Sequence, residues 1–301
     1  MVNLNQLRVF QAVAQTQSFT RAADVVHLTQ PGVSKHIKQM EEHYGLPLFD
    51  RLGKKVALTQ AGQVLFDATR EMMLSLDSAE RRIEDLKGLR GGKLALGASF
   101  PIAVYLLPGV LAAFRRKYPE VEVKLDVSLS ERTTAKVLTN KVDLGLVSHE
   151  PHDPRLVATV FMTDELVVIV PNQHKWVASG RIVPEDLLGE TFIAAPRGAG
   201  TRAVVEERLK ARGIVLQNVL DFGNPEGVKR AVEAGLGISI QARSIVEQEI
   251  SSGALVAVPL AGIDVKIEYL SICRKDKHLP SAAKAFLTVL QAEPGMATAS
   301  T

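Results

Sequence analysis

Cysteine is nearly absent, with Cys273 the one thiol in 301 residues. A single thiol excludes an internal disulfide framework and any cysteine-rich zinc site, and it fits a reducing compartment. No apolar run approaches the roughly eighteen residues that cross a bilayer. The opening residues Met1-Val2-Asn3-Leu4-Asn5-Gln6 carry no basic stretch ahead of an apolar one, so no secretory signal is read and a cytoplasmic location is expected. Gly-x-Ser-x-Gly, Walker and His-Glu-x-x-His patterns do not occur either. The expectation is therefore a protein that is not an enzyme and uses no metal or cofactor. What is present is ordinary globular material, 46% hydrophobic and 23% charged, enough for about two domains.

Charge of one sign is scarce too, at a net +3, but it is unevenly placed. Residues 1–93 hold 13 basic and 10 acidic side chains, whereas residues 94–301 hold 23 of each. A basic module joined to a neutral one suggests a polyanion as partner of the first piece, and nucleic acid is the default.

Leu4, Leu7, Phe10, Val13 and Ala14 keep helical spacing, which predicts a helix over 4–15. Ser18 suits the N-cap of a second short helix with Phe19, Ala22, Ala23 and Val26 inward. A third helix over about 30–43 tolerates Pro31 because it falls in the first turn. Its Val33, Ile37 and Met40 stand at i, i+4 and i+7 and face the core. Gln30, Ser34, Lys35 and Lys38 then point outward, a face with no acid. It offers amide, hydroxyl and ammonium donors of the kind that reach base edges and phosphates in a major groove. A solvated surface face would look similar, but the tight helix–turn–helix spacing favours DNA. Beyond Gly45, two short apolar-edged arms around Leu52-Gly53-Lys54-Lys55 read as a basic hairpin, the wing of a winged helix–turn–helix.

The segment from Phe19-Thr20-Arg21-Ala22-Ala23 through Leu28-Thr29-Gln30-Pro31-Gly32-Val33-Ser34-Lys35 and Pro47-Leu48-Phe49-Asp50-Arg51 to Leu58-Thr59-Gln60-Ala61-Gly62 resembles, in order and in register, the DNA-binding domain of LysR-type transcriptional regulators. The resemblance implies that Gln30, Pro31, Ser34, Lys35 and Lys38 contact double-stranded DNA and that Arg51 serves the wing. Lys35 and Lys38 stand where the family more often has arginine. Lysine cannot make the bidentate fork to guanine as well.

From Thr59, a suitable N-cap, the chain runs to Leu89 without proline. Leu65, Ala68, Met72, Leu76, Ala79, Ile83 and Leu86 alternate by three and four, the spacing of a coiled-coil seam. A helix of about 40 Å is longer than a sixty-residue domain can cover, which favours a second copy as its partner. The family resemblance agrees, implying a homodimer through this helix that assembles to a tetramer. Gly88, Gly91 and Gly92 read as a hinge.

Strand and helix signals then alternate. Strands are read at about 93–99, 121–127, 143–147, 156–170, 192–196, 219–222, 237–241, 255–259 and 267–274. Helices are read at about 101–118, 130–139, 201–212, 225–235, 243–252 and 281–292, with a disordered tail after Pro294. This α/β pattern resembles the effector-binding domain of the same family, related to periplasmic binding proteins. The expected fold is an α+β two-part chain. Residues 1–59 form a winged helix-turn-helix and 60–92 a linker helix and hinge. Residues 93–301 form two α/β lobes, one of about 94–164 plus 268–301 and one of about 165–267. A small-molecule effector would sit in the cleft at strand ends and helix N-termini.

Arg197-Gly198-Ala199-Gly200-Thr201-Arg202 follows an apolar strand and opens a helix. Glycines there let backbone N–H groups converge, the helix dipole adds partial positive charge, and Thr201, Arg197 and Arg202 add a hydroxyl and two cations. One reading is an anion site and the other a glycine turn with solvent-exposed arginines. The loop is similar to a Gly-Ser-Gly-Thr-Arg loop of the family, with Ala199 in place of serine. It also satisfies Gly-x-Gly-x-x-Ala with Asp221 further on, but the region is too short for a dinucleotide-binding domain. Ser99 and Phe100 end the first strand, Ser130 is a candidate cap, His149 ends the third strand, and Asn224 caps a helix; these are the remaining effector-site candidates. His149 and His152 in a Pro-containing loop read as a solvated loop rather than a metal site, and Cys273 as a structural thiol within a strand. The expected function is a DNA-binding regulator responsive to a small, anionic metabolite. The rivals are a solute-binding protein or a small α/β enzyme with a helical appendage.

Overall fold

The computed structural model describes residues 2–52, 55–85, 92–262 and 266–292. The chain divides into two compact units, Met1–Arg81 and Arg82–Thr301.

In the first unit, α1 (Leu4–Thr16), α2 (Phe19–Val25) and α3 (Gln30–Tyr44) precede a hairpin of β1 (Phe49–Leu52) and β2 (Lys55–Leu58), and α4 (Gln60–Asp85) follows. Each helix start has a local cause. Asn3 and Gln6 form a capping box on α1, Ser18 accepts from the Arg21 N–H, and Thr29 accepts from the Gly32 N–H. Gly45, at φ +68°, ends α3 in the left-handed conformation that glycine adopts without strain. Phe10, Val13, Ala22, Val33, Ile37, Met40 and Leu48 are all essentially sealed from solvent. Glu41 Oε1 accepts from the Leu48 and Phe49 N–H groups at 2.8 and 3.3 Å, which ties the hairpin to α3. Thr59 donates to the Pro47 carbonyl at 2.7 Å and accepts from Gly62 N at 3.0 Å, starting α4 against the same corner. A Cβ on Gly62 would lie 2.1 Å from the Leu48 carbonyl oxygen, so this junction requires glycine. The expected hairpin tip Gly53-Lys54, the hinge glycines Gly88 and Gly91, the seam residue Leu86 and the tail after Pro294 lie outside the described residues.

The second unit contains β3 (Gly92–Ser99), α5 (Leu107–Lys117), β4 (Val121–Ser128), α6 (Ser130–Leu138), β5 (Leu144–Val147) and the long β6 (Leu156–Pro171). Next come α7 (Lys175–Ser179), β7 (Phe192–Ala194), α8 (Gly200–Lys210), β8 (Val219–Asp221), α9 (Pro225–Glu233), β9 (Ser239–Ala242), α10 (Arg243–Ser252) and β10 (Leu255–Val258). The unit closes with β11 (Lys266–Arg274) and α11 (Ser281–Ala292). Parallel β4-β3-β5 is joined by antiparallel β11. Midway, β6 changes partners. Leu156 to Glu165 pair with β11, whereas Leu166 to Pro171 pair with β9 and β10. That switch separates a first lobe from a second, in which β7 and β8 pair beside β9. Asp164 and Glu165, at the switch, hold Ser244 and Arg243 at the start of α10.

Two local features depart from the sequence expectation. The helix read over 101–118 begins as a π-helical turn, Ile102–Leu106, before α5. Pro108 has no N–H to donate to the carbonyl four residues back, so the regular ladder cannot run through it. Residues 171–191, read as connection, hold α7 and a 3-10 turn, Pro184–Gly189, anchored by buried Trp176 and Leu187.

Candidate DNA-binding face and effector cleft

On α3, Val33, Ile37 and Met40 are buried, so Gln30, Pro31, Lys35 and Lys38 are exposed and Ser34 half-exposed. Gln30 Nε2 donates to Ser34 Oγ at 3.0 Å, one turn apart, which aligns an amide and a hydroxyl on the outward face. The expectation of a face without an acid needs correction. Lys38 Nζ lies 3.7 Å from Glu42, with both side chains largely exposed. Such an i,i+4 surface pair contributes only about 0.3–0.5 kcal/mol, so a phosphate can displace it. Arg51 stands in β1 opposite Val56, but its side chain lies outside what is described.

Between the lobes of the second unit lies a small cavity of about 30 Å³. Ser99, Phe100 and Pro101 reach it from the end of β3, and Ser130 from α6. Ser148 lines it just beyond β5, Gly200 and Thr201 at the start of α8, and Asn224 and Pro225 at the start of α9. The Asn224 side chain accepts from Gly227 N at 2.9 Å and caps α9. Thus four helical segments begin at one cavity, and each brings the positive end of its dipole there. Ser99 Oγ is buried and has no hydrogen-bond partner among the described residues. No Lys, Arg, His, Asp or Glu lines this cavity.

Several of the expected effector residues lie away from this cavity. Arg202 does not face the cavity. Its guanidinium, with the side chain 7% exposed, is bound by Glu206 and Asp221 and donates to the Ala195 carbonyl inside the second lobe. Burial opposes its charge, but the two carboxylates outweigh that and raise its pKa. Asp221, the would-be ribose partner of a dinucleotide, is consumed by this pair. Arg197 is exposed and belongs to neither lining set. Ser130 is not a cap, since Leu129 holds that place. Ser130 Oγ instead meets Ser148 Oγ at 3.2 Å. His149 is displaced by one residue. β5 ends at Val147, and Ser148 takes the cleft position that His149 was expected to fill. His149 lies instead in a larger neighbouring pocket of about 360 Å³ with Glu131, Glu150, His152, Asp153 and Gly198. Burial, and then His152 with ring centroids 5.9 Å apart, lower its pKa. Among the described residues no group of three or more His, Cys, Asp or Glu could hold a metal ion. Cys273 is half-buried, and burial pushes its thiol up, away from thiolate reactivity.

Ser148 and Gln241 are polar residues of the lining that the sequence reading does not include. The usable signal for Ser148 was its place directly after a fully buried strand. Gln241 had none, because it lies within a short strand whose burial the sequence does not announce. Gly200 has a further role. A Cβ there would lie 2.5 Å from Ser148 Oγ and 2.6 Å from the Ser148 carbonyl oxygen, so the absent side chain lets the two lobes touch. Beside it, Glu131 N–H donates to the Gly198 carbonyl across the cleft at 3.4 Å.

A winged helix–turn–helix unit followed by a two-lobed α/β unit with a donor-lined cleft defines a ligand-responsive DNA-binding protein. Residues 4–63 match the family described as "Bacterial regulatory helix-turn-helix protein, lysR family", and residues 87–295 match "LysR substrate binding domain". The chain is 36% identical over 285 residues to the RuBisCO operon transcriptional regulator of Allochromatium vinosum, covering 95% of this chain and 94% of that protein. The CcmR regulatory domain of Synechocystis PCC6803, solved in complex with 2-PG, is 30% identical with a TM-score of 0.62, covering 67% of this chain and 96% of that one. Full-length CbnR complexed with its target DNA shares the fold at 20% identity and a TM-score of 0.66, covering 96% of this chain and 99% of that one. The chain belongs to the LysR family. It is a DNA-binding transcriptional regulator carrying an effector-binding domain, and not an enzyme. Among the described residues no helix is long and apolar enough to cross a membrane.

Proposed function

We propose that this regulator is a cytoplasmic homodimer, paired through α4 and assembling to a tetramer. DNA is held by Gln30, Pro31, Ser34, Lys35, Lys38 and Arg51. Occupancy of its cleft by a small anion modulates promoter binding. The working division is 1–59 for DNA, 60–92 for pairing and hinge, and 93–301 for the effector, with lobes of about 94–164 plus 268–301 and about 165–267.

One observation carries the anion reading. Helix N-termini, hydroxyls and a buried, unpartnered Ser99 Oγ converge on a cavity lined by no charged side chain. Each helix start presents about half a positive charge. Convergent donors without a carboxylate favour an ionised ligand over a neutral one. Ser99, Phe100, Ser130, Gly200, Thr201 and Asn224 form the site in this reading; Arg202 is structural, and Arg197, Gly198 and His149 lie at or beyond the rim. Anions related to 2-PG are the first to test, because the CcmR regulatory domain was solved with it. RuBisCO operon promoters are the first DNA to test, because relatives carry that name. Calorimetry of the full chain against a panel of carboxylates, phosphates, sulfate and neutral isosteres decides the matter. A tightest ligand that is neutral and apolar refutes the anion reading.

A further inference from the structure

A second contact joins the lobes, separate from the one at Gly200. Tyr105 lies in the π-helical turn of the first lobe, and its hydroxyl donates to Glu226 in the first turn of α9 in the second lobe. Glu226 is held in turn by Lys229, whose ammonium lies 2.8 Å from it and 2.7 Å from Glu249 of α10. Lys229 also donates to the Ile245 carbonyl at 3.3 Å, and its ammonium sits 5.0 Å from the Tyr105 ring centroid. The Lys229 side chain is 3% exposed. A lysine placed there is costly unless paired, and its partners outweigh the burial and raise its pKa. Burial, then Glu226, push the Tyr105 phenol up to about 12, so it keeps the proton it donates.

We propose that Tyr105, Glu226 and Lys229 form an interlobe latch that positions the two lobes for ligand capture. Both ends of the latch adjoin the cavity. Tyr105 follows Ser99, Phe100 and Pro101 by one helical turn, and Glu226 follows Asn224 and Pro225 directly. Making the Tyr105 bond brings two of the converging helix starts to their spacing before any ligand arrives. The latch rests on the cavity being the effector site, but its effect on closure exists without ligand.

The test is amide hydrogen exchange on the full-length protein without added ligand. The Glu131 amide, bonded across the cleft to Gly198, reports closure; the Val232 amide, inside α9, reports the fold of the second lobe. Tyr105→Phe and Glu226→Ala should each speed Glu131 exchange by about tenfold or more, the size of one hydrogen bond to a charged group. Val232 should be unchanged, and the double variant should be no faster than the faster single one. Unchanged Glu131 exchange in both variants overturns the latch, and so does an equal acceleration at Val232, which would mean simple destabilisation. A second arm adds 2-PG or inorganic phosphate. Slowed Glu131 exchange supports the anion reading of the cavity. No slowing in the native chain counts against that reading and leaves the ligand-free result for the latch intact.

Discussion

Gly200→Ala is the sharpest probe of how this cleft works. The added methyl would meet Ser148 at 2.5 Å (Oγ), 2.6 Å (carbonyl oxygen) and 2.7 Å (carbonyl carbon). The hydroxyl can rotate away, but the carbonyl is backbone and cannot. Ordinary contact lies near 3.5 Å, so the lobes must part by roughly 0.9 Å at this point. Overpacking of this kind costs about 1–3 kcal/mol. Neither lobe needs to distort internally, since the clash lies between them, and alanine is the better residue in the first turn of α8. The cost should therefore fall on closure. Thermal stability should fall only by the few degrees that loosened closure costs, while effector affinity drops about 5- to 150-fold and DNA binding without effector persists. Calorimetry and a melting curve on the same sample check both. Native affinity in the variant, or loss of affinity with a matching collapse in stability, would refute the reasoning.

The remaining predictions follow from the same geometry. Ser99→Ala removes a buried hydroxyl that has no partner among the described residues, so the ligand-free protein should be equally or more stable while anion affinity falls; a melting curve and a titration check the opposite signs. Arg202→Ala should destabilise the second lobe by about 1–3 kcal/mol in denaturant unfolding, because it strips the Ala195 carbonyl and two partly exposed carboxylates of their partner. Lys38→Ala should weaken binding to all DNA sequences alike and lower the salt slope by about 0.9 for each phosphate that is no longer neutralised, read from gel shifts at several salt concentrations. Met72→Asp with Leu76→Asp should dissociate the oligomer in sedimentation, since Met72 is 43% exposed on an isolated chain and lies on the α4 seam.

Much of the DNA-binding unit is legible in one dimension because its causes are local. Ser18, Thr29 and Thr59 cap helices with side chains three residues from the N–H they bind, and Val33, Ile37 and Met40 share a face by helical period alone. The same holds for the order of strands and helices in the second unit apart from α7 and the 3-10 turn, for the start of α8 to within one residue, and for the Asn224 cap of α9. Even the π-helical turn has a local cause, in Pro108. The effector cleft is different, because its atoms meet across long stretches of chain. Whether Ser148 or His149 faces the cavity depends on where β5 ends, and a shift of one residue exchanges the two faces of a strand. Whether Arg202 offers its charge to a ligand depends on Asp221, nineteen positions away, being brought beside it by the pairing of β7 with β8. Gly200 looked like a donor-presenting glycine, yet its missing Cβ also serves an interlobe contact with Ser148, which no local pattern contains. Sequence periodicity and capping report energies between residues a few positions apart, and those sufficed for the elements and the DNA-facing helix. Tertiary packing alone decided which polar groups were left unpaired at the cleft, and which were already bound to one another.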